Sequence, residues 1–138
     1  MNPIFRHLFR RRELEAPPFS MPCEERSRTT DSGLVYEVLR EGTGKSCCGW
    51  HLRGAKVHHA GWTLDGRLIG SSYERGKPEY FAINGVIRGW SEALQLMSVG
   101  SILLFIVPPE RAYGKRGQPP LIGPNERLVF RIELISVK

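Results

Sequence analysis

Runs of alternating apolar and polar residues, punctuated by glycine- and proline-bearing turns, predict an α+β fold: an antiparallel β-sheet of about five strands wrapped around one short α-helix. Two observations carry that expectation. The stretches Leu34–Leu39, Val57–Leu64 and Leu128–Leu134 alternate with the period of two that puts successive side chains on opposite faces of a strand. Only Ser91–Ser98 has good helical spacing, with Ala93, Leu94 and Met97 on one face.

The elements follow in order. Residues 1–31 differ in composition from the rest and read as a basic, proline-containing arm without fixed structure. Four arginines fall within the first twelve residues, and no acid precedes Glu13. Ile4 and Leu8, like Phe5 and Phe9, are spaced i, i+4, so a helix there would be amphipathic and Arg-rich. Such a segment serves as a membrane-surface anchor or an organelle presequence, or is simply a loose basic terminus. Ala16–Pro22 reads as an extended linker, because proline lacks a donor and restricts its predecessor. The folded domain is expected over residues 32–138. Its first strand sets Leu34, Tyr36 and Val38 against Val35, Glu37 and Leu39, and Glu41-Gly42-Thr43-Gly44 turns the chain. After a loop from Lys45 to Arg53, a strand through Val57–Leu64 ends at Asp65-Gly66, a dipeptide suited to a tight hairpin. Arg67–Ser72 returns, and a polar loop, Tyr73–Pro78, leads to the alternating run Tyr80–Ile83. The helix follows, with Gly100 as its stop. A strand from Ser101 to Val107 and a last strand, Arg127–Val137, flank a long Gly- and Pro-rich loop, Pro108–Pro124, of the length usually associated with function.

The 138 residues are 41% hydrophobic and 25% charged, the balance of a globular chain able to bury a core. No apolar run approaches the ~20 residues of a membrane-spanning helix. The net charge of +6 is spread over both signs outside the N-terminus, and no nucleic-acid partner is expected from it. Cys23, Cys47 and Cys48 form neither a disulfide framework nor a C-x-x-C zinc pattern, which points to a reducing compartment and no metal. His58 and His59 are adjacent on a strand and point to opposite faces, so they make no metal pair either.

The stretch Tyr80–Pro109 shifts attention to one site. Val86-Ile87-Arg88-Gly89-Trp90, a helix closing on Met97-Ser98-Val99-Gly100, then Ala112-Tyr113-Gly114 and Leu128-Val129-Phe130, keep one order and spacing. From Ser32 to Lys138 the chain closely resembles the FKBP-type peptidyl-prolyl isomerases. The resemblance implies a shallow apolar pocket for a proline ring, with Trp90 as its floor. The Ile87 backbone N–H would hold a ligand carbonyl and the Tyr113 hydroxyl would donate a second hydrogen bond. Phe130, Val86, Ile122 and Phe81 would wall the pocket. The composition of these segments agrees, being large, apolar or amphipathic and placed at strand ends or beside turns. The implied activity is isomerisation of X-Pro bonds in proline-containing peptides or unfolded segments, by a monomer in the cytoplasm, or in an organelle if the Arg-rich terminus is a presequence. No cofactor is implied, and the sequence offers no catalytic triad, H-E-x-x-H or phosphate loop.

Four positions depart from the family's pattern. His58-His59 stands where the family has His-Tyr, and Ile69-Gly70 where it has Phe-Asp. Glu79 stands where many relatives carry an aromatic. Gly70 therefore deletes a carboxylate that would pair with Arg75. Glu79, or Glu74, would restore the charge with His59 bridging; the alternative leaves Glu79 in solvent and Arg75 turned outward. Weaker or differently selective catalysis, and weaker macrolide binding, are expected. Two other readings stay open: a non-catalytic peptide-binding module using the same groove or the Cys47–Trp50 loop, and an anionic-surface or nucleic-acid adaptor using the Arg6–Arg12 arm.

Overall fold

The computed structural model describes residues 15–47 and 52–138. The Arg-rich segment through Arg12 and most of the Cys47–Trp50 loop lie outside the described residues. In chain order the elements are β1 (Arg28–Thr29), β2 (Val35–Arg40), β3 (Gly54–Thr63), β4 (Leu68–Ser71), β5 (Glu79–Ala82), α1 (Arg88–Gln95), β6 (Ile102–Val107) and β7 (Leu128–Val137), with a 3₁₀ turn at Pro109–Arg111. One antiparallel sheet runs β1-β2-β6-β7-β3-β4. Its centre is β6, all six of whose residues are buried, and β7. Leu128, Phe130, Ile132 and Leu134 of β7 join Leu103, Phe105 and Val107 of β6 against Ala93 and Leu94 of α1. The opposite face is covered too: Trp62, Leu104, Ile106 and Val129 form a second cluster, against which Ala16, Val35, Leu68 and Tyr73 pack.

The third strand positions the site. It pairs with β7 along its whole length, while its other edge is shared between β5, at Gly54–Val57, and β4, at Ala60–Trp62. His58 and His59 fall between the two partners, where Ser72 replaces the missing ladder: its N–H donates to His59 O at 2.9 Å and its Oγ accepts the His59 N–H at 2.7 Å. In the β3–β4 turn only Gly66 has a positive φ (+92°), and its N–H bonds Thr63 O at 3.0 Å. The hairpin is thus a type I turn completed by a left-handed glycine, with Gly66 alone supplying the left-handed φ.

The sheet has seven strands, not about five; the short β1 and β5 make up the difference. The first of these lies inside the segment expected to be a loose arm, and that expectation fails for residues 15–31. Phe19 meets Trp62 edge-on, 5.8 Å between centroids. The Cys23 N–H donates to Glu37 Oε1 at 2.8 Å, and Arg26 Nε to Oε2 at 2.9 Å. The alternation of β2 put Glu37 beside Val35 and Leu39 without indicating burial, yet it is only 5% exposed because this segment covers it. The Cys23 N–H and the Arg26 guanidinium hold its carboxyl below the usual carboxylate range.

The helix, too, starts and stops earlier than its apolar spacing suggested. Ile87 is extended (φ −57°, ψ 151°), so the first turn is Arg88-Gly89-Trp90. The Leu96 and Met97 amides close the far end on Ala93 and Leu94 carbonyls, in 3₁₀ fashion. Gly100 (φ +95°) is not the stop; its N–H bonds Leu134 O in the sheet. Gly89 lets α1 approach β6, since a Cβ there would overlap Val107.

Candidate active site

A cavity of about 460 Å³ opens above the indole of Trp90. The early helix start puts that indole in the first turn of α1, under the concave face of the sheet. Three rings meet it nearly perpendicularly: His59 at 5.1 Å and 74°, Phe81 at 5.2 Å and 75°, Phe130 at 5.5 Å and 86°. Such edge-to-face contacts fix the plane of the indole. Trp90 is 6% exposed, and it lines the cavity as its floor instead of being sealed beneath other side chains.

Two donors open onto this floor. Ile87, the residue before α1, lines the cavity, and its amide N–H makes no hydrogen bond to any described residue. The Tyr113 hydroxyl likewise has no partner among the described residues. The loop bearing Tyr113 is tied down by its own backbone: Gly117 N–H to Tyr113 O at 3.1 Å, Asn125 N–H to Gly114 O at 2.8 Å, and a two-way bridge between Gln118 and Ile122. Gly117 (φ +63°) permits the tightest part, where a Cβ would stand 2.5 Å from Gly123 O. An ordered loop delivers its phenol at a fixed place.

Every site residue expected from the sequence lines this cavity except Glu79. Trp90, Ile87, Tyr113 and Phe130 come together, and Val86, Ile122 and Phe81 stand beside them. On the β3–β4 side lie His59, Ile69 and Gly70. Sequence reasoning missed Gly61, Gly85, Gln118 and Leu121. Gly61 had a signal, a glycine inside a strand, which marks a close approach; here a Cβ would stand 2.6 Å from Phe130 Cε1. Gln118 and Leu121 had none beyond lying between Tyr113 and Ile122.

Glu79 acts from behind the wall. It pairs with Arg75, one helical-type spacing earlier, and its Oε1 lies 3.5 Å from His59 Nε2. The acid absent at Gly70 is thus supplied from β5, by Glu79 and not Glu74, and Arg75 is not turned away from it. The separation to His59 is too long for a hydrogen bond, and Nε2 is buried without a partner. Burial foremost, then the nearby Arg75 and His58, pushes the His59 imidazole down to about 4, so it is neutral at pH 7. His58 faces the other way, stacked on Tyr73 at 4.5 Å with Nδ1 3.0 Å from Ser72 Oγ. Apart from Gly70 and its chain neighbours, no atom of the described residues lies within 4 Å of where a Cβ would stand at Gly70.

A half-wrapped sheet, a helix presenting an indole, and an apolar cleft flanked by open donors define a class of protein with a small-ring-sized apolar site beside two free hydrogen-bond donors. Among the described residues, no serine, cysteine or carboxylate lines the cavity. Residues 53–135 match the family described as FKBP-type peptidyl-prolyl cis-trans isomerase. Over 112 residues the chain is 45% identical to the peptidyl-prolyl cis-trans isomerase Mip of Coxiella burnetii, covering 80% of this chain and 47% of that protein. The crystal structure of FkpA from Escherichia coli superposes with a TM-score of 0.77 at 35% identity, over 99% of this chain and 59% of that one. That of AtFKBP13 gives 0.76 at 32% identity, over 84% of this chain and all of that one. The chain belongs to the FKBP-type peptidyl-prolyl cis-trans isomerase family. It spans about half the length of the curated relatives it matches.

Proposed function

We propose that this chain is a peptidyl-prolyl cis–trans isomerase that acts on X-Pro bonds of peptides and unfolded segments. The observation that carries the reading is the open cleft over Trp90, with the Ile87 N–H and the Tyr113 hydroxyl both unengaged at its edge. Rotation about an X-Pro bond passes through a twisted state that has lost amide resonance, over a barrier of ~20 kcal/mol. The planar amide is the more charge-separated form, so an apolar, water-poor cleft costs it more than the twisted one. Seating the ring on the indole while Ile87 and Tyr113 hold flanking carbonyls selects the half-rotated geometry. Each ~1.4 kcal/mol of that preference is worth about tenfold in rate. No nucleophile or metal takes part in these steps.

The altered wall bears on selectivity. With Gly70 bare and Glu79 held by Arg75, no carboxylate faces the substrate from β4, and the cleft presents a neutral imidazole in its place. NMR exchange measured on a short X-Pro peptide tests the reading. The chain accelerates isomerisation, and Trp90→Ala abolishes the acceleration. Peptide binding with no change in exchange rate would overturn the catalytic reading in favour of a binding module. Gly70→Asp, for which there is room, then shows whether the missing acid is the cause.

A further inference from the structure

His59 and Gln118 are the polar side chains lining the cleft that the mechanism above leaves unused, and of the two only His59 stands on the β3–β4 side. It shares one face of β3 with Gly61, whose cross-strand partner on β4 is Gly70. Of the lining residues around it, Gly61, Ile69, Gly70 and Phe81 carry no hydrogen-bonding side chain, and the Trp90 indole can only donate. The space at Gly70 is empty to 4 Å from a Cβ position, so a ligand can reach this side.

The imidazole is asymmetric. Nε2 is sealed from solvent, without a hydrogen bond, and sits 3.5 Å from Glu79 Oε1. A neutral imidazole carries one proton, and the nearby carboxylate favours placing it on Nε2. Nδ1 is then a bare lone pair, and it is not the buried nitrogen. The Ile87 N–H and the Tyr113 O–H offer donors to substrate carbonyls, but substrate N–H groups need an acceptor. Proline has no N–H, so the first one beyond the ring belongs to the following residue.

We propose that His59 is a specificity-determining residue: its Nδ1 accepts a hydrogen bond from the backbone N–H of the residue after the bound proline. The inference rests on the reading that the cleft seats a proline ring. A substrate lacking that N–H leaves a desolvated acceptor unpaired, which is more costly than never having had one.

The test compares two peptides, Ala-Leu-Pro-Phe amide and its analogue with an ester in place of the Pro-Phe amide bond. Binding and isomerisation are both followed by NMR with the full chain. The amide peptide binds about five- to tenfold more tightly than the ester, and His59→Phe reduces that ratio several-fold. In the unmutated chain labelled with ¹⁵N-histidine, the His59 Nδ1 resonance moves upfield on saturation with the amide peptide and stays in place with the ester. This readout does not depend on how well the variant folds. An amide-to-ester ratio unchanged in a folded His59→Phe, or an unmoved Nδ1 resonance at saturation, overturns the proposal. Amide preference without accelerated isomerisation would remove the catalytic reading and leave His59 in its role; accelerated isomerisation of both peptides alike would do the reverse.

Discussion

Acid should destabilise this domain well before its carboxylates titrate, and His59 is the reason. Its folded-state value of about 4 lies below the ordinary 6.5 of the unfolded chain. Between those limits the unfolded state binds a proton that the folded state refuses, so stability rises with pH through the window and is fully present above about 6.5. Lowering the pH from 7.5 to 5 costs about 2 kcal/mol by this linkage. The side chain is 12% exposed, so solvent screens little of it, and the Arg75–Glu79 pair beside it leaves no free negative charge to offset the cost. Glu37 is displaced the other way: its stabilisation is present above 4.5 and is lost only as pH falls further, through its lowered folded value. Urea unfolding at pH 7.5, 6 and 5, on the unmutated chain and on His59→Phe, isolates the histidine. The expected result is a loss between pH 7.5 and 5 that is smaller in the variant by about 2 kcal/mol. Equal losses in both chains would show that the imidazole titrates normally and that its burial has been misjudged.

Three further perturbations probe the wall and the N-terminal cover. Gly61→Ala places a methyl 2.6 Å from Phe130 Cε1, so it is expected to cost about 1–3 kcal/mol and to weaken peptide binding by driving the ring into the cleft. Gly70→Ala, with nothing within 4 Å, is expected to change stability by less than about 1 kcal/mol in the same denaturant series. Glu37→Gln weakens its hydrogen bonds from Cys23 and Arg26 and is expected to cost about 1–2 kcal/mol, since the carboxylate lies just under the surface; hydrogen exchange should then quicken at the Cys23 amide.

Much of the site was readable because its signals were local. The order Val86-Ile87-Arg88-Gly89-Trp90, then Tyr113, then Phe130, holds five of the lining residues, and the family resemblance it carries points to five more: His59, Ile69, Gly70, Phe81 and Ile122. What was not readable depended on contacts distant in the chain. Gly61 lines the cleft because Phe130, sixty-nine residues later, fills the space its side chain would take. The alternation of β2 did not mark Glu37 as buried; its cover comes from the segment that precedes β2. The helix was shifted because the extended backbone at Ile87 fixes its start, and apolar spacing does not report that. For Glu79 charge reasoning left two arrangements open; it pairs with Arg75 and lies 3.5 Å from His59 Nε2, holding the wall from outside without lining it.

The contacts of residues 15–31 bear on where the folding unit is cut. The family match begins at residue 53, and a chain trimmed even to Ser32 would bare the indole of Trp62 and strip Glu37 of both its donors in one stroke. A shortened version chosen from motif limits alone would therefore be stickier and less stable at neutral pH than the parent, through damage on the far side of the sheet from the cleft. Any loss of activity it showed would say nothing about catalysis.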